Sequence, residues 1–386
     1  MKMSGHVKPN PKTTGGSKMP THTSSFITLP QAIGQTPLLL IKSLSHLLKQ
    51  NIYLKAEFLN PGGSVKDRAA LSMIQSAFDQ GQIKSHISTL YEGTAGNTGI
   101  GLAMLAAHYH LGCHIFMPNN QSQEKIDLIR AYGAEVTLVP PTGFSDPNHF
   151  YHQAKNKASQ DSNGYWVNQF ENPNNYLAHY NTTGPEIYSQ CPLIDVFACS
   201  AGTGGTIGGV SSFLKGVSLS QSQSQNAQNS QMSPLHINHN PPSQLPSNQI
   251  KCYLIDPYGS GLYSWYHNQE FKSSGSSVTE GIGIMRLTEN FKQAKLDGAI
   301  QVTDTETFSM LEFLAHNEGL FVGPSAALNL FGLSKLAIAD EQKNKSYVTI
   351  GCDLGTRYQS KLFSQSWLEK NNLNNPPPLS KLLGLF

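Results

Sequence analysis

Charge is what this chain has least of. Only 13% of its 386 residues are Asp, Glu, Lys or Arg, and the net charge is +2. So small a balance gives no electrostatic grip on nucleic acid or on an anionic membrane, which favours small neutral or zwitterionic ligands. No run approaches the ~20 apolar residues that cross a bilayer, and residues 1–25 lack the apolar block of a secretory signal. That segment carries Lys, His, Gly and Pro but no arginine and no amphipathic spacing, and the first acidic residue is Glu57. A disordered tail on a cytoplasmic protein fits it better than an organelle-targeting peptide.

Cysteine is also sparse. Cys113, Cys191, Cys199, Cys252 and Cys352 are scattered, with no CxxC pair and no histidine spaced as a metal partner, so no residue is assigned to a metal. An odd, unclustered set points to a reducing compartment and to thiols that serve as small core residues.

What is present is an alternation. The length suits two domains and a cleft between them. From residue 51, short β-rich runs (52–57, 89–91, 114–117, 135–138, 196–200, 251–255, 347–351) alternate with amphipathic stretches (68–80, 98–109, 123–132, 206–215, 304–317, 326–338). This predicts an α/β protein with mostly parallel sheets flanked by helices. Residues 217–249 contain no Asp, Glu, Lys or Arg and are dominated by Ser, Gln, Asn and Pro, so a mobile insertion loop is expected there. After the prolines at 376–378, residues 379–386 are apolar, as if to pack on the body or on a partner subunit.

Three glycine-bearing turns stand between runs of opposite periodicity. Asn60-Pro61-Gly62-Gly63-Ser64-Val65-Lys66-Asp67-Arg68 delivers one lysine to a helix start. The positive end of a helix dipole favours the neutral amine that condenses with an aldehyde, although an ordinary lysine after a loop fits the segment equally well. Gly202-Thr203-Gly204-Gly205-Thr206-Ile207-Gly208 follows an apolar strand and opens a helix. Its N–H groups and hydroxyls suit a phosphate, but it is neither a P-loop nor a GxGxxG turn, and alone it reads as well as a flexible connection. Glu92-Gly93-Thr94-Ala95-Gly96-Asn97-Thr98-Gly99 offers donors suited to an amino-acid carboxylate, while Asn97 and Thr98 taken singly are typical helix caps.

In this order the three motifs resemble the β-family of pyridoxal-phosphate enzymes, and within it the cysteine synthases (O-acetylserine sulfhydrylases). Asn168-Gln169-Phe170-Glu171-Asn172-Pro173, Thr182-Thr183-Gly184-Pro185-Glu186, Glu280-Gly281-Ile282-Gly283 and Gly323-Pro324-Ser325 continue the resemblance, which runs from about residue 33 to 363. It implies fold-type II, two α/β domains with pyridoxal 5'-phosphate in the cleft between them, and a homodimer. It places the Schiff base on Lys66, the cofactor on Asn97, Gly202, Thr203, Gly204, Gly205, Thr206 and Ser325, and the substrate on Thr94, Ala95, Gly96, Thr98, Gln169 and Gly281. A neutral Ser325 beside the pyridine nitrogen makes the ring a weaker electron sink than an aspartate would, which suits replacement at Cβ over transamination.

The domains expected are 26–165 and 166–216 joined with 250–366, with tails at 1–25 and 367–386. The reaction implied makes L-cysteine from O-acetyl-L-serine and sulfide through an aminoacrylate, and a complex with serine acetyltransferase goes with it. Two features depart from the family pattern: Ala95 stands where serine is usual, and Pro324 and Ala327 replace more typical neighbours of Ser325. Asp256-Pro257-Tyr258-Gly259-Ser260 also resembles cystathionine β-synthase. Serine or threonine dehydratase chemistry differs only in what meets the aminoacrylate.

Overall fold

The β-rich runs form the strands expected of them. The computed structural model describes residues 26–227 and 249–385. Among these the strands are β1 (Leu38–Leu40), β2 (Asn51–Lys55), β3 (Thr89–Gly93), β4 (Gly112–Pro118), β5 (Glu135–Val139), β6 (Gly164–Trp166), β7 (Val196–Cys199), β8 (Lys251–Pro257), β9 (Gly298–Val302) and β10 (Ser346–Ile350). One sheet is ordered β1-β2-β10-β7-β8-β9 and the other β5-β4-β3-β6. All pairings are parallel except that of β1 with β2. Every residue of β7 and β10 is buried, as central strands covered on both faces must be.

Helices supply the covers. Met73 and Ile74 of the helix Lys66–Asp79 and Leu102 and Leu105 of the helix Asn97–Tyr109 join Leu90 and Ile115 in the core of the smaller sheet. On the larger sheet, Leu328 and Phe331 of the helix Pro324–Ala339 join one cluster, and Ile207, Val210 and Leu214 of the helix Gly205–Ala227 join another with Phe197 and Leu254. Each such side chain contributes about 1.5–3 kcal/mol on burial, and Phe331→Ala should cost about 3–5 kcal/mol.

Two expectations need correcting. The boundary at 165/166 does not hold: β1 and β2 belong to the larger sheet with the C-terminal strands, and β6 straddles the boundary. Apolar runs announce strands, not the sheet that receives them. Second, residues 217–227 are not loop but the continuation of the helix that starts at Gly205. That stretch contains no Gly or Pro, so a helix nucleated by its apolar start propagates through it; residues 228–248 lie outside the described residues. The packing expected of the apolar C-terminal residues is present among the described ones. Leu373, Leu379 and Leu383 are buried in the same cluster as Phe308 and Leu314 of the helix Asp304–Glu318.

Parallel order puts the carboxyl ends of β3, β7 and β10 on one side of their sheets. There the chain turns into the loops 94–96, 200–204 and 351–355, the place where open α/β sheets bind ligands.

Candidate active site

Lys66 is the first residue of its helix and is held from both flanks. Gly62 N donates to Asp67 Oδ2 at 2.6 Å, Arg357 Nη2 donates to the Gly62 carbonyl, and Val65 N donates to the Cys352 carbonyl at 2.9 Å. Behind it lies a buried ionic network. Arg68 pairs with Glu57 and Glu186 at 2.7 Å each, and Lys55 pairs with Glu186 at 2.7 Å. Although burial opposes ionisation of Glu186, Arg68 and Lys55 hold its carboxyl down at about 2. Lys66 Nζ itself has no hydrogen bond or ion pair among the described residues, and it shares a pocket with Cys199, Ile282, Ile350 and Cys352. Burial pushes both thiols up, Cys352 to about 11, against the pull of the Lys66 charge. They are neutral, unreactive walls.

Facing Lys66 is the loop 200–204 and the helix it opens. Gly204 has φ +84°, a conformation L side chains rarely adopt, and a Cβ on Gly202 would collide with the Gly281 carbonyl. Asn175 Nδ2 donates to Thr203 Oγ1 at 3.0 Å, Thr288 Oγ1 donates to the Thr203 carbonyl at 2.7 Å, and His179 Nε2 lies 3.3 Å from Thr206 Oγ1. His179 is fully buried, and burial, with Arg68 and Lys66, pulls its pKa well below the usual value, so it is neutral. Ser200 Oγ is buried without a partner among the described residues. A dianion is met here by N–H groups, hydroxyls and a helix dipole. Because the glycines keep the cradle open, these residues fit a phosphate.

The loop 94–98 borders the same cleft, of about 780 Å³, together with Lys66, Gln169, Gly202, Thr203, Gly281 and Ser325. The sequence-predicted residues therefore converge, with Gly204, Gly205 and Thr206 in the adjoining pocket beside Lys66. Ser325 is buried at the start of its helix and lines the cleft with Cys352.

Two members are engaged differently from expectation. Asn97 Nδ2 donates to Asp353 Oδ2 at 2.6 Å, and its Oδ1 accepts from Arg357 Nη1 at 2.5 Å, so one amide hydrogen is left for a ligand. Gln169 Oε1 accepts from Thr98 Oγ1 at 2.6 Å, while its Nε2 donates to the Gly93 carbonyl and to Glu92. Gln169 thus braces the loop 94–98 from behind.

Sequence reasoning missed Glu92, Asn175, His179, Asp353 and Arg357. A usable signal existed for Asp353 and Arg357, because Gly351-Cys352-Asp353-Leu354-Gly355 is a fourth glycine-bearing turn, directly after the apolar run 347–351. For His179 and Asn175 none existed: they point into the cradle from a helix distant in sequence.

A lone amine at a helix start, opposite a neutral phosphate cradle and beside a loop of carboxylate-sized reach, is the arrangement an enzyme needs to work through pyridoxal phosphate. Residues 29–353 match the model of the pyridoxal-phosphate dependent enzyme family, and the chain belongs to that family. It is 42% identical over 355 residues to cysteine synthase 1 of Emericella nidulans, covering 91% of this chain and 88% of that one. It is 41% identical over 353 residues to the cysteine synthase of Dictyostelium discoideum, covering 89% and 85%. Among solved structures, the O-acetylserine dependent cystathionine beta-synthase of Helicobacter pylori superimposes with a TM-score of 0.72 at 32% identity, covering 87% of this chain and 98% of that one.

Proposed function

We propose that the chain makes L-cysteine from O-acetyl-L-serine and sulfide with pyridoxal phosphate bound to Lys66. The observation that carries this reading is the unpaired Lys66 amine sharing one cleft with the loop 94–98 and the cradle at Gly202 and Thr203. The cysteine synthase relatives support it.

When bound, the cofactor supplies an aldehyde for the amino acid and an electron sink for charge at its Cα. Gly202, Thr203, Gly204, Gly205 and Thr206 would hold its phosphate, and Ser325 would be the neutral partner of its pyridine nitrogen. Thr94, Ala95, Gly96 and Thr98 direct N–H groups and hydroxyls at the substrate carboxylate, with Gln169 fixing Thr98 and Gly281 closing the rim. Lys66 Nζ takes the Cα proton. Acetate leaves Cβ, hydrosulfide takes its place, and Lys66 Nζ returns the proton. The cleft keeps competing water from Cβ.

A second reading, condensation with homocysteine, is supported by the residues 256–260 and by the likeness to the Helicobacter pylori structure. Comparing kcat/KM for sulfide and homocysteine, each with O-acetylserine, separates the two. Sulfide is expected to be preferred, and a preference for homocysteine would replace the first reading with the second. The same proposal takes the enzyme to be a cytoplasmic homodimer able to bind serine acetyltransferase; no helix among the described residues is long and apolar enough to cross a membrane.

A further inference from the structure

A second cationic group borders the cleft. The guanidinium of Arg286 lies over three rings, with Cζ 4.3 Å from the centroid of Phe144, 5.2 Å from Tyr151 and 5.0 Å from Phe170. Nη1 donates to Glu171 Oε1, and the other Glu171 oxygen accepts the Glu289 N–H at 2.9 Å, so the guanidinium is anchored and its charge compensated. Nη2 is buried and has no hydrogen-bond partner among the described residues. Arg286 and the three rings line the cleft that contains Lys66, and Phe170 directly follows Gln169.

A buried N–H lacking an acceptor is a defect that a ligand can repair. Here the repair has a chemical specification. The rings favour a small apolar group, and the Glu171 pairing leaves no net positive charge for a dianionic substituent, which would also have to be desolvated against the rings. A neutral ester carbonyl bearing a methyl group meets both conditions.

We propose that Arg286 reads the acyl group of an O-acylserine donor, its Nη2 donating to the ester carbonyl oxygen while Phe144 and Phe170 take up the methyl. This rests on the function proposed above and adds what selects the leaving group. As the Cβ–O bond breaks, its electron pair leaves with acetate, whose charge is shared by the former carbonyl oxygen, while the Cα proton stays on Lys66 Nζ. The Arg286 bond therefore strengthens toward the transition state and acts mainly on kcat.

The test compares holoenzyme of wild type, Arg286→Gln and Arg286→Lys with O-acetylserine, O-phosphoserine and 3-chloro-L-alanine, each with sulfide. Chloride is a competent leaving group without a carbonyl. Arg286→Gln should lower kcat/KM for O-acetylserine by about 10- to 100-fold, chiefly through kcat, and leave 3-chloro-L-alanine nearly unchanged. Wild type should discriminate against O-phosphoserine. Cofactor content and melting temperature check folding, and if the glutamine variant does not fold, Arg286→Lys gives the same ratio. Equal losses with O-acetylserine and 3-chloro-L-alanine, no loss with O-acetylserine, or a wild-type preference for O-phosphoserine overturns the assignment alone. A wild-type enzyme that uses none of the donors overturns the proposed function and this assignment with it.

Discussion

Asn97 and Asp353 stand 256 positions apart in the chain and are joined by a 2.6 Å hydrogen bond. Asp353 also accepts from the Tyr358 hydroxyl at 2.6 Å, and Arg357 reaches from the same segment to Asn97 and Gly62. The turn after β10 is thus the clasp between the Lys66 turn and the loop 94–98. Asp353→Ala removes two bonds to a buried carboxylate, each worth about 1.5–3 kcal/mol. It should lower the denaturant midpoint and raise KM for the amino acid. Asp353→Asn, which keeps the shape, should lose less of both, and an alanine variant as stable as wild type would refute the clasp.

Lys66→Ala should abolish turnover and the visible absorbance of lysine-bound cofactor. On the proposed function acetate leaves before sulfide enters, so the reaction should divide into two halves with parallel double-reciprocal plots. Borohydride fixation followed by peptide mapping reads the assignment directly; label on another lysine rejects it.

Removing the Thr203 and Thr206 hydroxyls together with valine should weaken cofactor retention. Each bond lost to a charged phosphate costs about 1.5–3 kcal/mol, or roughly 10- to 150-fold in Kd. Equilibrium dialysis of the double variant measures it. Unchanged affinity would show that backbone N–H groups and the helix dipole suffice.

Burial pushes Glu92 up to about 8, against the Gln169 N–H groups that favour its ionised form. A carboxyl whose folded pKa exceeds its unfolded value of about 4.5 is neutral in the fold where the unfolded chain is ionised. Its contribution to stability is complete below about pH 4.5, declines as pH rises toward about 8, and is flat above. Asp67 and Asp256, each raised by burial to about 7, act in the same sense, whereas Glu186, held down at about 2, loses its contribution as pH falls below about 4.5. Melting curves of Glu92→Gln across about pH 5–8 should show a shallower fall than wild type. An unchanged slope means that Glu92 is ionised throughout.

Local chemistry was legible in the sequence because it is encoded locally. Period and turn residues announce β2, β3, β4, β5, β7, β8 and β10, and the helices at Lys66, Asn97 and Gly205, since each depends on a few consecutive residues. The three-residue strands β1 and β6 are too short to show a period. For the same local reason Lys66, the cradle residues and the loop 94–98 could be named as candidates from strand–turn–helix junctions alone.

Only the tertiary structure decided who meets whom. Parallel pairing brings β10 between β2 and β7, and that places Asp353 and Arg357 against Asn97 and Gly62, across separations no motif spans. It likewise buries His179 as a neutral neighbour of Thr206, closes Gln169 onto Thr98 and Glu92, and gathers three rings around Arg286. Proximity of this kind depends on sheet order and burial. A residue's type reveals the chemistry it can perform, but desolvation and partners, set by the whole fold, determine its charge and what it is free to bind.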